Sequence, residues 1–374
     1  MATEALAPST LKRAGLLVLS DYFVLYLCIG YVLVLSVFLP NVLTPANAAD
    51  VLSNIWPLLV VAIGQTFVLG IAGIDLSQGA VIAMTSVVMA MLIAVTGNPV
   101  LLSKAPIWGV IISEQGGLLA GMSGGILLAI FIGLLVAALI GMFNGFAVAY
   151  FGMPAFMVTM VVMLMIGNLA IYLVLSENIN QLPPDFIKLG KGDLVSLYFG
   201  AKDQSQIPRK IIYSFVTYPM IIALSVTFIA HYLLNRTVFG RYVFAIGINR
   251  KAAEISGVPV RKVIIAVFVI AAVCAALSSI LYSARLEAGR PTLGQGAFLL
   301  DVIGAVVIGG TSLFGGKARI TWTFFGVLLF VVLSKTLSIM NLSAFQVDMV
   351  KGGVILAAAL LDVWRVRLSR ELVQ

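Results

Sequence analysis

With 374 residues, 61% of them hydrophobic and only 10% charged, and with a mean hydropathy of +1.12, the chain has too few polar side chains to cover a water-soluble globule. Its formal charge of +8 is spread as sparse lysines and arginines between apolar stretches, which excludes a nucleic-acid-binding face and reads as membrane-orientation signals. A single histidine and two cysteines, Cys28 and Cys274, both inside apolar stretches, argue against a disulfide and against a His/Cys metal site, so no metal ligands are expected.

A hydrocarbon core of about 30 Å needs roughly 20 apolar residues per helix. Lys12 and Arg13 precede the first such stretch, and Ala46-Asn47-Ala48 resembles a signal-peptidase site. The run from Gly15 to Leu39 is too long for a cleavable signal, whose apolar region is about 7–15 residues, and its only charge is Asp21. A membrane span is therefore expected at 16–39. Further spans are expected at 51–73, 78–96, 123–148, 155–175, 212–234, 263–283, 297–310, 320–337 and 346–364. The eighth is short and glycine-rich, and reads as a broken helix packed inside protein. The fold class is thus an all-α polytopic membrane protein of about ten helices, a single transmembrane domain over 1–374. With the N-terminus inside, 13 of the 23 basic residues fall inside and 8 outside, favouring N-in and C-in.

The connections at Gly73–Ser77 and Phe151–Pro154 are tight, whereas those at 97–122, 176–211 and 235–262 can carry structure of their own. The charges of the 176–211 loop include Asp185, Lys188, Lys202, Asp203, Arg209 and Lys210. Gly117, Gly121 and Gly125, and likewise Gly141 and Gly145, are spaced by four, a pattern that lets helix backbones approach closely.

Asp75 is the most notable buried-looking charge. Intramembrane carboxylates are costly and often functional, yet this one precedes a new span and can bind the amides of Ser77 or Gln78 at a helix start. Asp301 stands similarly at the start of the short eighth span. Gln65, Asn144, Thr159, Asn168 and Gln346 supply uncharged donors and acceptors suited to a hydroxyl-rich solute, or to bonds between helices. Together with Asp75 and Asp301 they form the candidate translocation path. Gly310–Ala318 superficially suggests a phosphate loop, which needs four residues between a glycine and Gly-Lys and then Ser or Thr. Position 311 is Thr and Ala318 follows Lys317, so the pattern fails.

The polar, basic stretch 235–262 is expected on the cytoplasmic side. Asn249 can cap a short helix reaching Ile255 or Ser256, Gly257 can end it and Pro259 prevents its continuation.

Four stretches then carry a resemblance. Gly240–Val258 looks like the coupling loop of ribose-type ABC importer permeases. Gly73-Ile74-Asp75-Leu76-Ser77, Asn144-Gly145 through Gly152-Met153-Pro154-Ala155-Phe156-Met157-Val158-Thr159, and Ile303–Gly316 match that family's other motifs in the same order. The resemblance implies a type II importer-like fold in the bacterial inner membrane, without catalytic residues or a bound cofactor. ATP-Mg would sit on a separate cytoplasmic ATPase, a periplasmic sugar-binding protein would deliver a monosaccharide or polyol, and a second permease subunit would complete the pair. The coupling residues would be Asn249, Lys251, Ala252, Ala253, Glu254, Ser256 and Gly257. Leu299-Leu300-Asp301 departs from the family's Glu-Leu-Asp, and the 97–122 and 176–211 loops are longer than usual. The competing readings are a secondary transporter coupled to ions through Asp75 or Asp301, and a non-transporting membrane scaffold.

Overall fold

A computed structural model describes residues 23–39, 44–198 and 212–371. Lys12, Arg13, Asp21, Lys202, Asp203, Arg209 and Lys210 lie outside the described residues. The helices are α1 (Phe23–Phe38), α2 (Pro45–Gly70), α3 (Gln78–Ile93), the short α4 (Pro99–Leu102), α5 (Gly125–Tyr150), α6 (Ala155–Leu173) and α7 (Pro184–Lys191). They continue with α8 (Tyr218–Arg236), α9 (Val238–Ile248), α10 (Arg250–Ile255), α11 (Val260–Leu286), α12 (Phe298–Ile308), α13 (Ile320–Ile339) and α14 (Ala344–Glu371). A helix therefore stands at each of the ten apolar stretches.

Among the described residues, α2, α5, α6, α8, α11 and α13 are long and apolar enough to cross a membrane, and α3 and α12 are shorter apolar helices. The long loops do carry their own structure. The first holds α4 and a hairpin of β1 (Ile112–Ser113) and β2 (Gly116–Gly117). The second holds α7 and β3 (Asp193–Tyr198), which pairs antiparallel with β4 (Ile212–Thr217) from Asp193↔Thr217 to Tyr198↔Ile212.

The core is built around α11, which packs on α2, α3, α5 and α7. Glycines set how close these helices come. A Cβ at Gly141 would stand 2.6 Å from Phe268 O, one at Gly145 2.6 Å from Ile265 Cα, and one at Gly64 3.0 Å from Ala271 Cα. So α5 and α2 each lie backbone-to-backbone on α11, as expected of Gly141 and Gly145. The other glycine series is corrected: Gly117 and Gly121 belong to the hairpin region before α5, and only Gly125 is helical, so the three form no helix stripe.

Helix α2 shows how local chemistry is repaired inside the core. Thr44 caps it by accepting from Asn47 N at 3.4 Å, and Pro45 suits its first turn. Pro57 within the helix cannot donate to Ser53 O, four residues back. Arg285 of α11 supplies the missing donor, its Nη1 lying 3.1 Å from Ser53 O, and Ser278 Oγ donates to Pro57 O at 2.8 Å. Helix α12 is the shortest of the helices at the ten apolar stretches, eleven residues packed on α13, α14 and α2, with most of its side chains buried. Cys28 and Cys274 are free and buried.

Candidate coupling surface and buried polar sites

Three connections meet at one end of the helix bundle. The first is the α9–α10–α11 stretch. Thr237 caps α9 by accepting from Gly240 N at 3.4 Å. Asn249 ends α9 in extended conformation and caps α10, its Oδ1 accepting from Ala252 N at 3.0 Å. Gly257, at φ +81°, terminates that helix, and Gly257 N and Val258 N close on Glu254 O and Ala253 O. Pro259 then stands immediately before α11.

The result is a six-residue helix anchored by one buried side chain, Ala253, while Asn249, Lys251, Ala252, Glu254, Ser256 and Gly257 are exposed. Ile248, just before it, and Ile255, its last residue, are 75% and 88% exposed. Sequence reasoning missed these two isoleucines. The available signal was two large apolar residues inside a basic loop. Arg250 Nη2 lies 3.5 Å from Ala149 O, and Arg261 stands 5.0 Å over the Tyr150 ring, tying this stretch to the end of α5.

The second connection is the α2–α3 loop, Ile71–Ser77. Asp75, 1% exposed, accepts from both Ser77 N (2.8 Å) and Ser77 Oγ (2.6 Å), so the amide bond expected with Ser77 forms and no bond to Gln78 does. Asn144 of α5 donates from Nδ2 to Ser77 Oγ at 2.8 Å, which leaves Asn144 Oδ1 without a partner. Thr159 of α6 accepts from Leu76 N at 3.0 Å and lies 2.9 Å from Ala155 O for its own proton. The structure thus brings Asp75, Asn144 and Thr159 together around one loop.

The third connection is the glycine-rich α12–α13 loop. Gly316 N donates to Gly70 O at 3.1 Å, and Gly310, Gly315 and Gly316 all have positive φ. It is a turn wedged against the end of α2.

The remaining candidates are dispersed. Gln65 of α2 is fully buried and neither of its amide atoms has a partner; the same holds for Gln78. Asn168 of α6 donates to Leu164 O at 2.7 Å and lines a cavity of about 170 Å³ with Gly79, Gly167, Gly294, Gln295 and Leu299. Asp301 pairs with Lys351 of α14 at 2.7 Å, both side chains under a fifth exposed, and its Oδ1 has no partner. Gln346 is exposed in the first turn of α14, where its Oε1 accepts from Ser343 N at 2.9 Å. His231 is exposed beside Asn235.

The opposite end of the bundle carries the long loops. Ile179 bridges Gly289, Val95 N donates to Gln181 O, and Lys191 pairs with Glu287. Asp185 bonds the largely exposed Lys188 and holds its ammonium above the usual lysine range. A cleft of about 1050 Å³ opens here between α2, α7, β4 and α11. Asp50, in its wall, binds Lys335 Nζ at 2.7 Å and Arg285 Nη2 at 3.3 Å. No local pattern in the sequence marks Asp50, because its partners lie 235 and 285 residues away.

The profile of the family described as branched-chain amino acid transport system / permease component matches residues 47–359. The chain belongs to this permease family. Among curated proteins the permease is 34% identical to the ribose import permease protein of Bacillus subtilis, over 88% of this chain and 89% of that one. It is 31% identical to the ribose import permease protein of Escherichia coli K12, with the same coverage. To the D-allose transport system permease protein of the same organism it is 28% identical, over 86% of this chain and 84% of that one. No solved structure matches the permease. The ordered motifs at 73–77, 144–159, 240–258 and 303–316 all fall inside the matched span, and the structure places a part of each at the same end of the bundle.

Proposed function

We propose that this permease is the membrane-spanning subunit of an ATP-driven importer for a monosaccharide or related polyol. The observation that carries the reading is the capped, exposed helix α10 with its two uncovered isoleucines, in a chain of this permease family. Such a helix offers a cytoplasmic ATPase an apolar grip through Ile248 and Ile255, with Lys251 and Glu254 as polar contacts. ATP-Mg belongs to that partner. Ten spans with both termini inside put α10 and the three meeting connections on the cytoplasmic face. They put the 1050 Å³ cleft and its mixed charges outside, where a binding protein would deliver solute. A second permease subunit, identical or paralogous, completes the pathway in the bacterial inner membrane.

The sugar class comes from the relatives named for ribose and allose, and uncharged amides suit it. Asn168, with Gln295 across the small cavity, and the unpartnered Gln65 are the residues assigned to solute hydroxyls. Ion coupling through Asp75 or Asp301 is the weaker reading, because Ser77 and Lys351 already occupy those carboxylates.

The test is uptake of radiolabelled D-ribose, L-arabinose and D-allose into cells carrying the permease with its own ATPase and binding protein. Glu254→Arg and Gly257→Trp should abolish uptake while the protein still accumulates in the membrane. Normal uptake in either variant removes the coupling assignment, and uptake that collapses with the ion gradient but ignores ATP depletion removes the ATP-driven reading.

A further inference from the structure

The α2–α3 loop is held from two sides, and each hold bypasses flexible side chains or is fully buried. On the side of α10, Gly247 in the last turn of α9 lies two residues before the Asn249 cap. An added Cβ there would overlap Gly70 O and Gly316 N. One on Gly315 would meet Ala72 N and Ala72 Cβ, each at 2.7 Å. The end of α9, the end of α2 and the glycine turn therefore touch backbone on backbone. A shift of Gly247 cannot be absorbed by a side chain changing rotamer, since close-packed contacts transmit strain.

On the far side the grip is by hydrogen bonds. Thr159 of α6 accepts from Leu76 N, and Asn144 of α5 donates to Ser77 Oγ, which donates in turn to Asp75. Thr159, Asn144, Ser77 and Asp75 are all 0–1% exposed, so water offers no substitute partner. The direct contacts between the α10 region and α5, Arg250 with Ala149 O at 3.5 Å and Arg261 over Tyr150 at 5.0 Å, are longer and made by side chains that reach into solvent.

We propose that the loop Ile71–Ser77 is the relay that carries displacement of α10 to helices α5 and α6, with Thr159 as the positioning residue at its far end. This rests on the ATP-driven reading above. The glycine turn at 310–316 then serves as the backing of the joint against which Gly247 pushes.

Thr159→Val keeps the side chain's shape and removes the hydroxyl that accepts from Leu76 N and lies within reach of Ala155 O and Ile74 O, whereas Thr159→Ser keeps it. The permease, its ATPase and its binding protein are reconstituted in liposomes, and uptake of D-ribose, L-arabinose and D-allose is measured per ATP hydrolysed. Thr159→Val should lower sugar moved per ATP tenfold or more while hydrolysis stays within twofold of the unaltered complex, and Thr159→Ser should restore the ratio. If Thr159→Val does not assemble, Ser77→Ala, which cuts the bond to Asn144, is scored in the same way. An unchanged ratio, or uptake and hydrolysis falling in proportion, overturns the relay and leaves the importer reading standing. An unaltered complex that hydrolyses no ATP or moves none of the three sugars defeats the importer reading itself, and the relay with it.

Discussion

Asp301 and Lys351 show what a single buried charge demands. Asp301 sits on the half-length helix α12, and its ion pair with Lys351 is the charged link between that helix and α14. Removing one partner of a buried pair leaves an uncompensated charge and costs about 3–5 kcal/mol, while replacing both is often nearly neutral. Lys351→Met is therefore expected to destabilise the permease by about 3 kcal/mol, the low end, because both side chains keep some exposure. Adding Asp301→Asn should recover most of that loss. Thermal unfolding in detergent distinguishes the two; a double variant no better than the single one would mean that the pair is not what holds α14. Arg285 answers a different demand, since it serves the carbonyl that Pro57 orphans as well as Asp50, and so repairs α2 while anchoring it to α11.

At the scale of elements, glycine spacing decides the packing of α5. Gly141→Val would drive its side chain into Phe268 O and Ala272 Cβ, so the helix must shift or distort, an overpacking cost of about 1–3 kcal/mol. The expected signature is a lower unfolding temperature with α5 still helical, and an unchanged temperature would show that α5 and α11 are not in the contact described. Elements governed by local rules were legible in the sequence. Asn249 and Gly257 fixed both ends of α10, Asp75 and Ser77 formed their expected bond, and the weak eighth stretch became the short α12. What depended on distant partners was not legible. Asp50 meets Lys335 and Arg285, and Asp301 meets Lys351, only because the bundle folds that way. Spacing by four misled at Gly117 and Gly121: Gly117 lies in β2 close against the Met91 and Leu92 carbonyls of α3, and Gly121 is a turn residue at φ +68°, so neither belongs to a helix stripe. Gln346, whose place in the sequence suggested a path residue, bonds Ser343 three residues before it at the start of α14, a contact the spacing alone does not announce.

At the scale of the whole molecule, the permease has two unlike faces: three connections clamped together at one end, and long loops around an open cleft at the other. Between them α12 covers only eleven residues, roughly 16 Å at 1.5 Å per residue, against a hydrocarbon core of about 30 Å. Non-helical chain runs on either side of α12, over 287–297 and 309–319. In the ten-span arrangement proposed above, this is the crossing at which the least helix separates the two sides of the membrane. Damage to its packing should therefore appear first as current. Val306→Ala, opening a void beside a residue that is fully buried, is expected to raise the passive proton permeability of proteoliposomes before it alters sugar uptake, as a pH-sensitive dye inside the vesicles would report. Vesicles that stay as tight as those with the unaltered protein would place the seal elsewhere. A transporter built this way must keep this short helix tightly packed, because an importer that leaks dissipates the cell's proton gradient even when no solute is present.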